Sequence, residues 1–197
     1  MKKYLNIFLI MFAFLLATSS CKKSFLKEDV YSSYAPAKLA DSLGFEASLS
    51  GLYNHFSTFY TYSDNQGWLC VWQVGTDVAF SIPSQTQGVE IPYSNYNALI
   101  STDFAASYSW NYAYRMINNA NVIIANVENP GLSGMSQAGK NAIDAEAHFF
   151  RGYAYNMLAT LYGSVPLVTT PITAPKTDFV RASLDSVNNL VALDLNF

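Results

Sequence analysis

The sequence predicts an all-α protein built from long helical hairpins, with one irregular segment that is rich in aromatic residues. Three observations support this fold class. Apolar residues recur at helical spacing over three long stretches of the 197-residue chain. The two longest stretches each stop near a proline and a glycine, which commonly end a helix. Between the first and second stretches, over residues 61–102, this periodicity fades and Trp and Tyr become frequent.

The N-terminus has the layout of a bacterial secretion signal. Two lysines precede the apolar run YLNIFLIMFAFLLA, which is shorter than the ~20 residues that a membrane-spanning helix needs. The next residues, ATSSC, resemble a lipobox, with Thr18 where Leu is usual. We therefore expect a lipoprotein signal peptide over 1–20, lipidation at Cys21 and a tether over 21–40. A short N-terminal anchor helix is the alternative.

The first helix of the folded region is predicted from about 42 to 60. Asp41 or Ser42 is available to cap its start. The residues expected on its inward face recur at helical spacing and are Phe45, Leu49, Leu52, Tyr53 and Phe56.

The irregular segment from 61 to 102 is punctuated by glycine and proline. Long segments of this kind in a compact domain are usually functional or disordered. Because disordered segments are poor in aromatic residues, the Trp and Tyr content favours a functional role.

Two long helices are predicted to form an αα-hairpin. The first begins near Asp103 and stops at the sequence NPG; the second runs from about Ser136 to Tyr162 and stops at Gly163. The inward residues expected on the first are Phe104, Tyr108, Tyr112, Ile117, Asn121 and Ile124. The apolar stripe expected on the second is Ala138, Ala142, Ala145, Phe149, Tyr153, Met157 and Leu161, widened by Phe150, Ala154 and Leu158.

Arg151 lies within this apolar second helix, and a buried guanidinium needs an acceptor to offset its desolvation. We expect a carboxylate on an adjoining helix, or carbonyl groups at a helix end, to provide it. The cluster of asparagines in the first hairpin helix, at 118, 119 and 121, is similarly expected to make hydrogen bonds between helices.

A further helix is predicted after Ser183, with Leu184, Val187, Leu190 and Val191 inward. This apolar pattern is still running at Phe197. The sequence therefore predicts an array of helical hairpins that is cut in its second unit.

Four stretches, in order, resemble the SusD/RagB family of outer-membrane nutrient-binding lipoproteins: CKKSFL, WNYAYRMINNANVII, AEAHFFRGYAYNMLATLYGSVPLV and DSVNNLVALDL. The family pattern in the second stretch is met at Trp110, Tyr114, Ile117, Ala120, Asn121, Ile123 and Ile124. In the third it is met at Glu146, Ala147, Phe149, Arg151, Tyr153, Tyr155, Tyr162, Gly163, Val165, Pro166 and Leu167. The departures are Lys27, Phe150, Gly152 and Ser164.

This resemblance implies a SusD-like fold, in which tetratricopeptide-like hairpins carry an irregular ligand-binding portion, and residues 41–197 would be its N-terminal part. It implies a lipid-anchored protein on the cell surface, in the outer membrane. Such a protein binds an oligosaccharide, starch-like or from another polysaccharide, and delivers it to a SusC-like TonB-dependent transporter. No catalysis and no cofactor are implied.

The candidate sugar-binding residues lie in the irregular segment, because sugars need aromatic faces together with amide or carboxylate partners for their hydroxyl groups. They are Trp68, Trp72, Asp77, Tyr93, Asn95 and Tyr96. Asp77 also aligns with an acidic position near the family's sugar site. The alternatives are that the aromatic residues form local core and that Asp77 caps a helix.

Charge limits the possible ligands. The net charge of −3 does not suit nucleic acid, and no Lys or Arg occurs between Lys38 and Arg115, which indicates a neutral or weakly cationic ligand there.

Two other classes of protein remain open. A glycoside hydrolase needs two carboxylates flanking the bond that it cleaves, and no motif pairs the available Asp64, Asp77, Glu90 and Asp103. Neither histidine has partners at metal-ligand spacing. A helical-repeat scaffold that binds no sugar is the third possibility.

Overall fold

The computed structural model describes residues 42–60, 70–81, 90–127 and 135–197. These contain helices α1 (Ser42–Thr58), α2 (Cys70–Gln73), α3 (Ile91–Ser94), α4 (Phe104–Val127), α5 (Gln137–Tyr162) and α6 (Leu184–Leu195), and a 3₁₀ turn (Tyr96–Ala98). The only β-pairing in these ranges is an isolated bridge between Pro166 and Arg181. The all-α prediction is confirmed. The expected signal peptide, Cys21 and the tether lie outside the described residues.

The long helices begin where the sequence predicts, because their caps are local. Asp103, Ser136 and Ser183 each accept a hydrogen bond through the side chain from the backbone amide three residues further on, at 2.9, 3.1 and 3.2 Å. Gly163 ends α5 with a φ of 71°, a conformation that favours glycine. No described helix is both long enough and apolar enough to cross a membrane.

Helices α4 and α5 form the predicted antiparallel hairpin. Trp110, early in α4, packs edge-on against Tyr162 at the end of α5, whereas Asn121, later in α4, contacts Arg151. Helix α1 packs on both hairpin helices, and α6 packs on α5. The contact with α6 is close at Gly152, where an added Cβ would lie 3.1 Å from the Cβ of Asp194. This contact gives a physical reason for one of the family departures.

The inward faces of the helices differ from the predicted ones at several positions. Phe104 is 54% exposed and Phe149 is 49% exposed, and Tyr53 and Leu184 are exposed as well. So are the alanines of the predicted α5 stripe: Ala138, Ala142 and Ala145. Four of the predicted apolar residues of α5 are buried: Phe150, Ala154, Met157 and Leu158. The other buried residues of α5 are Ile143, Ala147, Arg151, Gly152 and Tyr155. Because α5 is apolar along two neighbouring stripes, periodicity alone did not identify the one that faces α4.

A buried polar cluster around Arg151 joins α4, α5 and α6. The guanidinium donates from Nε to Oδ2 of Asp194 at 2.8 Å and from Nη2 to Oδ1 at 2.7 Å, and its Nη1 donates to Oδ1 of Asn121 at 3.0 Å. The expected carboxylate on an adjoining helix is therefore Asp194. Nδ1 of His148 lies 2.7 Å from the same carboxylate.

Asn121 extends the cluster to the chain that follows α5. Its amide nitrogen donates to the carbonyl oxygens of Val168 and Thr170, at 2.8 and 3.3 Å. Nearby on α4, Oδ1 of Asn118 accepts a hydrogen bond from the backbone amide of Ile172 at 2.8 Å. Asn121 therefore makes the predicted helix-to-helix bond and also fixes the extended segment, as part of the scaffold.

Candidate functional site

The two described parts of the irregular segment, 70–81 and 90–102, pack against each other. The close approach is at Gly75, whose φ is 80° and whose amide donates to the carbonyl oxygen of Ala79 at 2.9 Å. A Cβ added at Gly75 would lie 2.1 Å from the carbonyl oxygen of Tyr93 and 2.7 Å from the hydroxyl of Tyr96. Only glycine fits here, for both backbone and steric reasons. The contact fixes the loop that carries Asp77 beside the segment that carries the two tyrosines.

Four of the six candidate residues, Trp72, Asp77, Asn95 and Tyr96, are exposed on these segments. Tyr96 presents the most ring surface of the described aromatic candidates, at 62% exposure. No helix follows Asp77 within residues 78–81, so the structure does not support its alternative role as a helix cap. Trp68 lies outside the described residues.

Tyr93 is the buried member of the described candidates, at 6% exposure. Its hydroxyl donates to Oδ1 of Asp103 at 2.6 Å, and the same oxygen caps α4. Tyr93 therefore joins the candidate segment to the start of the hairpin.

A groove of about 770 Å³ lies between this segment and the helical hairpin. Tyr93 and Tyr96 line it from the candidate segment, together with Trp110 and Asn111 of α4 and Tyr162 of α5. We call it the larger groove, to distinguish it from a smaller one described below. Its lining combines aromatic rings with an amide, which is the chemistry expected of a sugar-binding site.

A hydrogen bond holds the ring of Tyr162 in place, and ring packing holds that of Trp110. The hydroxyl of Tyr162 donates to the carbonyl oxygen of Ala106, and burial raises the pKa of Tyr162 to about 12. The ring of Trp110 lies between those of Tyr162 and Tyr114, with centroid distances of 5.1 and 4.9 Å. The phenol is therefore neutral at physiological pH, and the rings are fixed by the hairpin.

A second groove, of about 480 Å³, lies on the other side of the same stretch of α4. Its lining shares Ser107 and Asn111 with the larger groove and adds Phe104, Tyr108 and Arg115, with His55 from α1. We call it the second groove. Because the two grooves share lining residues, they lie next to each other on α4.

Sequence reasoning missed the contribution of α4 to both grooves. Phe104 and Tyr108 were predicted to face the core, and Asn111 was not singled out. The spacing of Phe104, Tyr108, Asn111 and Arg115 is nevertheless that of one helical face. A stripe that combines aromatic, amide and cationic side chains is the signal that indicates a solvent-facing groove. The described residues contain no group of His, Cys, Asp or Glu side chains arranged to hold a metal ion.

Comparisons with known proteins agree with the fold. Residues 25–196 match the SusD-like family model described as starch-binding and associating with the outer membrane. The SusD-like protein P25 of Formosa agariphila is 27% identical to this chain over 96% of its residues. The matched region makes up only 36% of the length of that relative.

Solved structures show the same likeness. A SusD superfamily protein of Bacteroides thetaiotaomicron has a TM-score of 0.61 at 22% identity, over 79% of this chain and 36% of its own. A laminarin-binding SusD-like protein has a TM-score of 0.64 at 21% identity, over 77% of this chain and 32% of its own. A structure determined with a xylogluco-oligosaccharide has a TM-score of 0.61 at 23% identity. The match covers 77% of this chain and 28% of that one.

Proposed function

Because the chain belongs to the SusD-like family, described as starch-binding and associating with the outer membrane, we propose that it is a glycan-binding part of a cell-surface lipoprotein. The protein binds an oligosaccharide and delivers it to a SusC-like TonB-dependent transporter in the outer membrane. It holds its ligand without cleaving it.

The observation that carries this proposal is the lining of the larger groove. Pyranose rings present apolar CH faces that pack on aromatic rings, and their hydroxyl groups pair with amides. Tyr96, Trp110 and Tyr162 supply rings, and Asn111 supplies an amide, in the lining of one groove. Asn95, Trp72 and Asp77 lie on the segments beside it, where they extend the polar and aromatic surface available to a longer glycan.

The similar solved structures suggest which ligands to test first. One is a laminarin-binding protein, and another was determined with a xylogluco-oligosaccharide. These are ligands of those proteins. Oligosaccharides of both kinds are suitable first probes for this one, because both present the ring faces and hydroxyl groups that the larger groove can accept.

Replacing Tyr96 with Ala is expected to weaken glycan binding by about 5- to 30-fold, because stacking on an exposed ring contributes on the order of 1–2 kcal/mol. The melting temperature should stay nearly unchanged, since the side chain is 62% exposed. Isothermal titration with laminarin and xyloglucan oligosaccharides measures the affinity. Phe149→Ala is the matched control, because Phe149 is also a half-exposed aromatic residue but does not line the larger groove. Equal losses in both variants would contradict the proposal.

A glycoside hydrolase is the alternative function, and it predicts release of reducing ends from a glycan. One of the carboxylates that it could use, Asp103, accepts hydrogen bonds from Tyr93 and from the start of α4. That engagement suits a structural role better than the changing protonation of a catalytic acid or base. A reducing-end assay on each bound glycan distinguishes the two functions. A scaffold that binds no sugar predicts no titration heat with any glycan.

Replacing Cys21 with Ser is expected to abolish acylation and to release the protein from the membrane fraction. The reason is that lipid chains on this cysteine provide the anchor in the proposed lipoprotein. Detergent fractionation of cells that produce each form measures the effect. Equal membrane retention of the Ser variant would contradict lipid anchoring at this position.

A further inference from the structure

The second groove contains an exposed cation. Arg115, on α4, is exposed, and within the described residues it forms no ion pair with a carboxylate. By contrast, the buried Arg151 is paired with Asp194. The described residues that line the second groove include no Asp or Glu. The guanidinium of Arg115 is therefore not neutralised by the lining of its own groove.

The groups around Arg115 suit a sugar ring. Phe104, at the first position of α4, is 54% exposed and offers an aromatic surface, and Asn111, one turn before Arg115, offers an amide. Nε2 of His55 lies 2.9 Å from the carbonyl oxygen of Tyr112 and must donate to it, since a carbonyl only accepts. Burial, assisted by the charge of Arg115, lowers the pKa of His55. Arg115 is thus the permanent positive charge of this groove.

The second groove adjoins the larger one along α4. Ser107 and Asn111 line both, so a glycan chain in the larger groove can extend past Asn111 towards Arg115. The larger groove is also lined by Arg181, and its described lining likewise includes no carboxylate. Each groove is therefore lined by one arginine and, among its described lining residues, by no carboxylate.

We propose that the second groove binds an anionic sugar residue, one carrying a carboxylate or a sulfate group, of the same glycan that occupies the larger groove. A guanidinium presents a planar pair of donors that matches the oxygens of such a group, and these charge-assisted hydrogen bonds are stronger than neutral ones. Phe104 packs on the ring of that residue, and Asn111 bonds its hydroxyl groups. The inference rests on the proposed function and specifies the class of its ligand.

This inference revises the expectation of a neutral or weakly cationic ligand. That expectation came from the absence of Lys and Arg between positions 38 and 115. Arg115 ends that stretch, and the helical repeat of α4 places it on the same face as Phe104 and Asn111. The charge of a groove depends on the helix face, which a linear count of charges does not show.

The test is a binding comparison of matched probes on the whole protein. The probes are oligogalacturonate and its methyl ester, sulfated galactan oligosaccharides and their desulfated, neutral forms, and neutral laminarin oligosaccharides. We expect the charged member of at least one pair to bind about tenfold or more tightly than its neutral partner at low salt, because hydrogen bonds to charged groups are the stronger ones. If the second groove binds a carboxylate, the preference for the charged member should appear in the first pair. If it binds a sulfate group, the preference should appear in the second pair. Raising the salt concentration should reduce this preference.

Variants assign the preference to Arg115. Arg115→Gln should remove it while changing the affinity for laminarin oligosaccharides less than about twofold, and Arg115→Lys should retain part of it, because lysine keeps the charge but not the planar pair of donors. Lys140→Gln is the matched control: it removes the same charge from α5 at a position that lines neither groove.

Each outcome decides the question. Equal affinities for charged and neutral partners, or a preference that survives in Arg115→Gln, would overturn the inference while leaving the proposed function intact if laminarin oligosaccharides bind. Binding of no probe at all would overturn both.

Discussion

Arg151→Ala is expected to lower the free energy of unfolding of the whole protein by about 3–5 kcal/mol, the usual cost of removing one partner of a buried ion pair. The reason is the environment of Asp194, which is 3% exposed and accepts two of its hydrogen bonds from the Arg151 guanidinium. Without the arginine, the carboxylate would be buried beside His148 alone. The third contact of the guanidinium, to Asn121, would be lost as well. Chemical denaturation followed by circular dichroism measures the change.

Two further variants separate pairing from charge. Lys140→Ala removes a cation from the same helix at a partly exposed site and should change stability by less than about 0.5 kcal/mol. The double variant Arg151→Met with Asp194→Leu removes both charges, and it should recover part of the loss, because a buried ion pair can be replaced by apolar residues. If Arg151→Ala unfolds at the same denaturant concentration as the wild type, this pair does not hold the hairpin and α6 together.

Phe150→Ala is expected to be comparably destabilising, by about 3–5 kcal/mol, because it leaves a cavity in the core. Phe150 is 1% exposed. Its ring makes edge-to-face contacts with Tyr53 and Phe56 of α1, at centroid distances of 4.8 and 6.1 Å. Its removal would therefore weaken the packing of α1 on α5. The same denaturation experiment measures the loss.

The neighbouring Phe149 provides a matched control for Phe150. It is the same residue type one position earlier on α5, but it is 49% exposed. We expect Phe149→Ala to cost less than about 1 kcal/mol, as for most surface substitutions. A larger loss for Phe149→Ala than for Phe150→Ala would mean that the side of α5 that carries Phe149, rather than the side buried in the structure, faces the core.

Helix ends could be predicted from the sequence because they depend on local chemistry. Ser136, Ser183 and Gly163 fulfil their roles through contacts within a few residues. The kind of partner for Arg151 could also be predicted, since a buried guanidinium needs an acceptor. Its identity could not, because Asp194 lies 43 residues away and only the packing of α6 on α5 brings the two together.

The candidate site could be predicted only in part. The irregular segment supplies Tyr93 and Tyr96 to the larger groove, as its composition indicated. Trp110 and Asn111 of α4 and Tyr162 of α5 also line this groove. From the sequence, Trp110 and Tyr162 were placed in the family pattern of the hairpin, and Asn111 was not singled out. A half-buried residue on a helical hairpin can face the core and a groove at once, and sequence periodicity does not distinguish these cases.

The central claim is that the larger groove binds glycan and that the Arg151 cluster stabilises the fold. The most direct test is to measure glycan affinity and melting temperature together for the wild type, Tyr96→Ala and Arg151→Ala. We expect Tyr96→Ala to melt normally and bind weakly. Arg151→Ala should melt at a lower temperature and, below that temperature, bind like the wild type. An Arg151→Ala protein that melts normally but no longer binds glycan, beside a Tyr96→Ala protein that binds normally, would contradict the account.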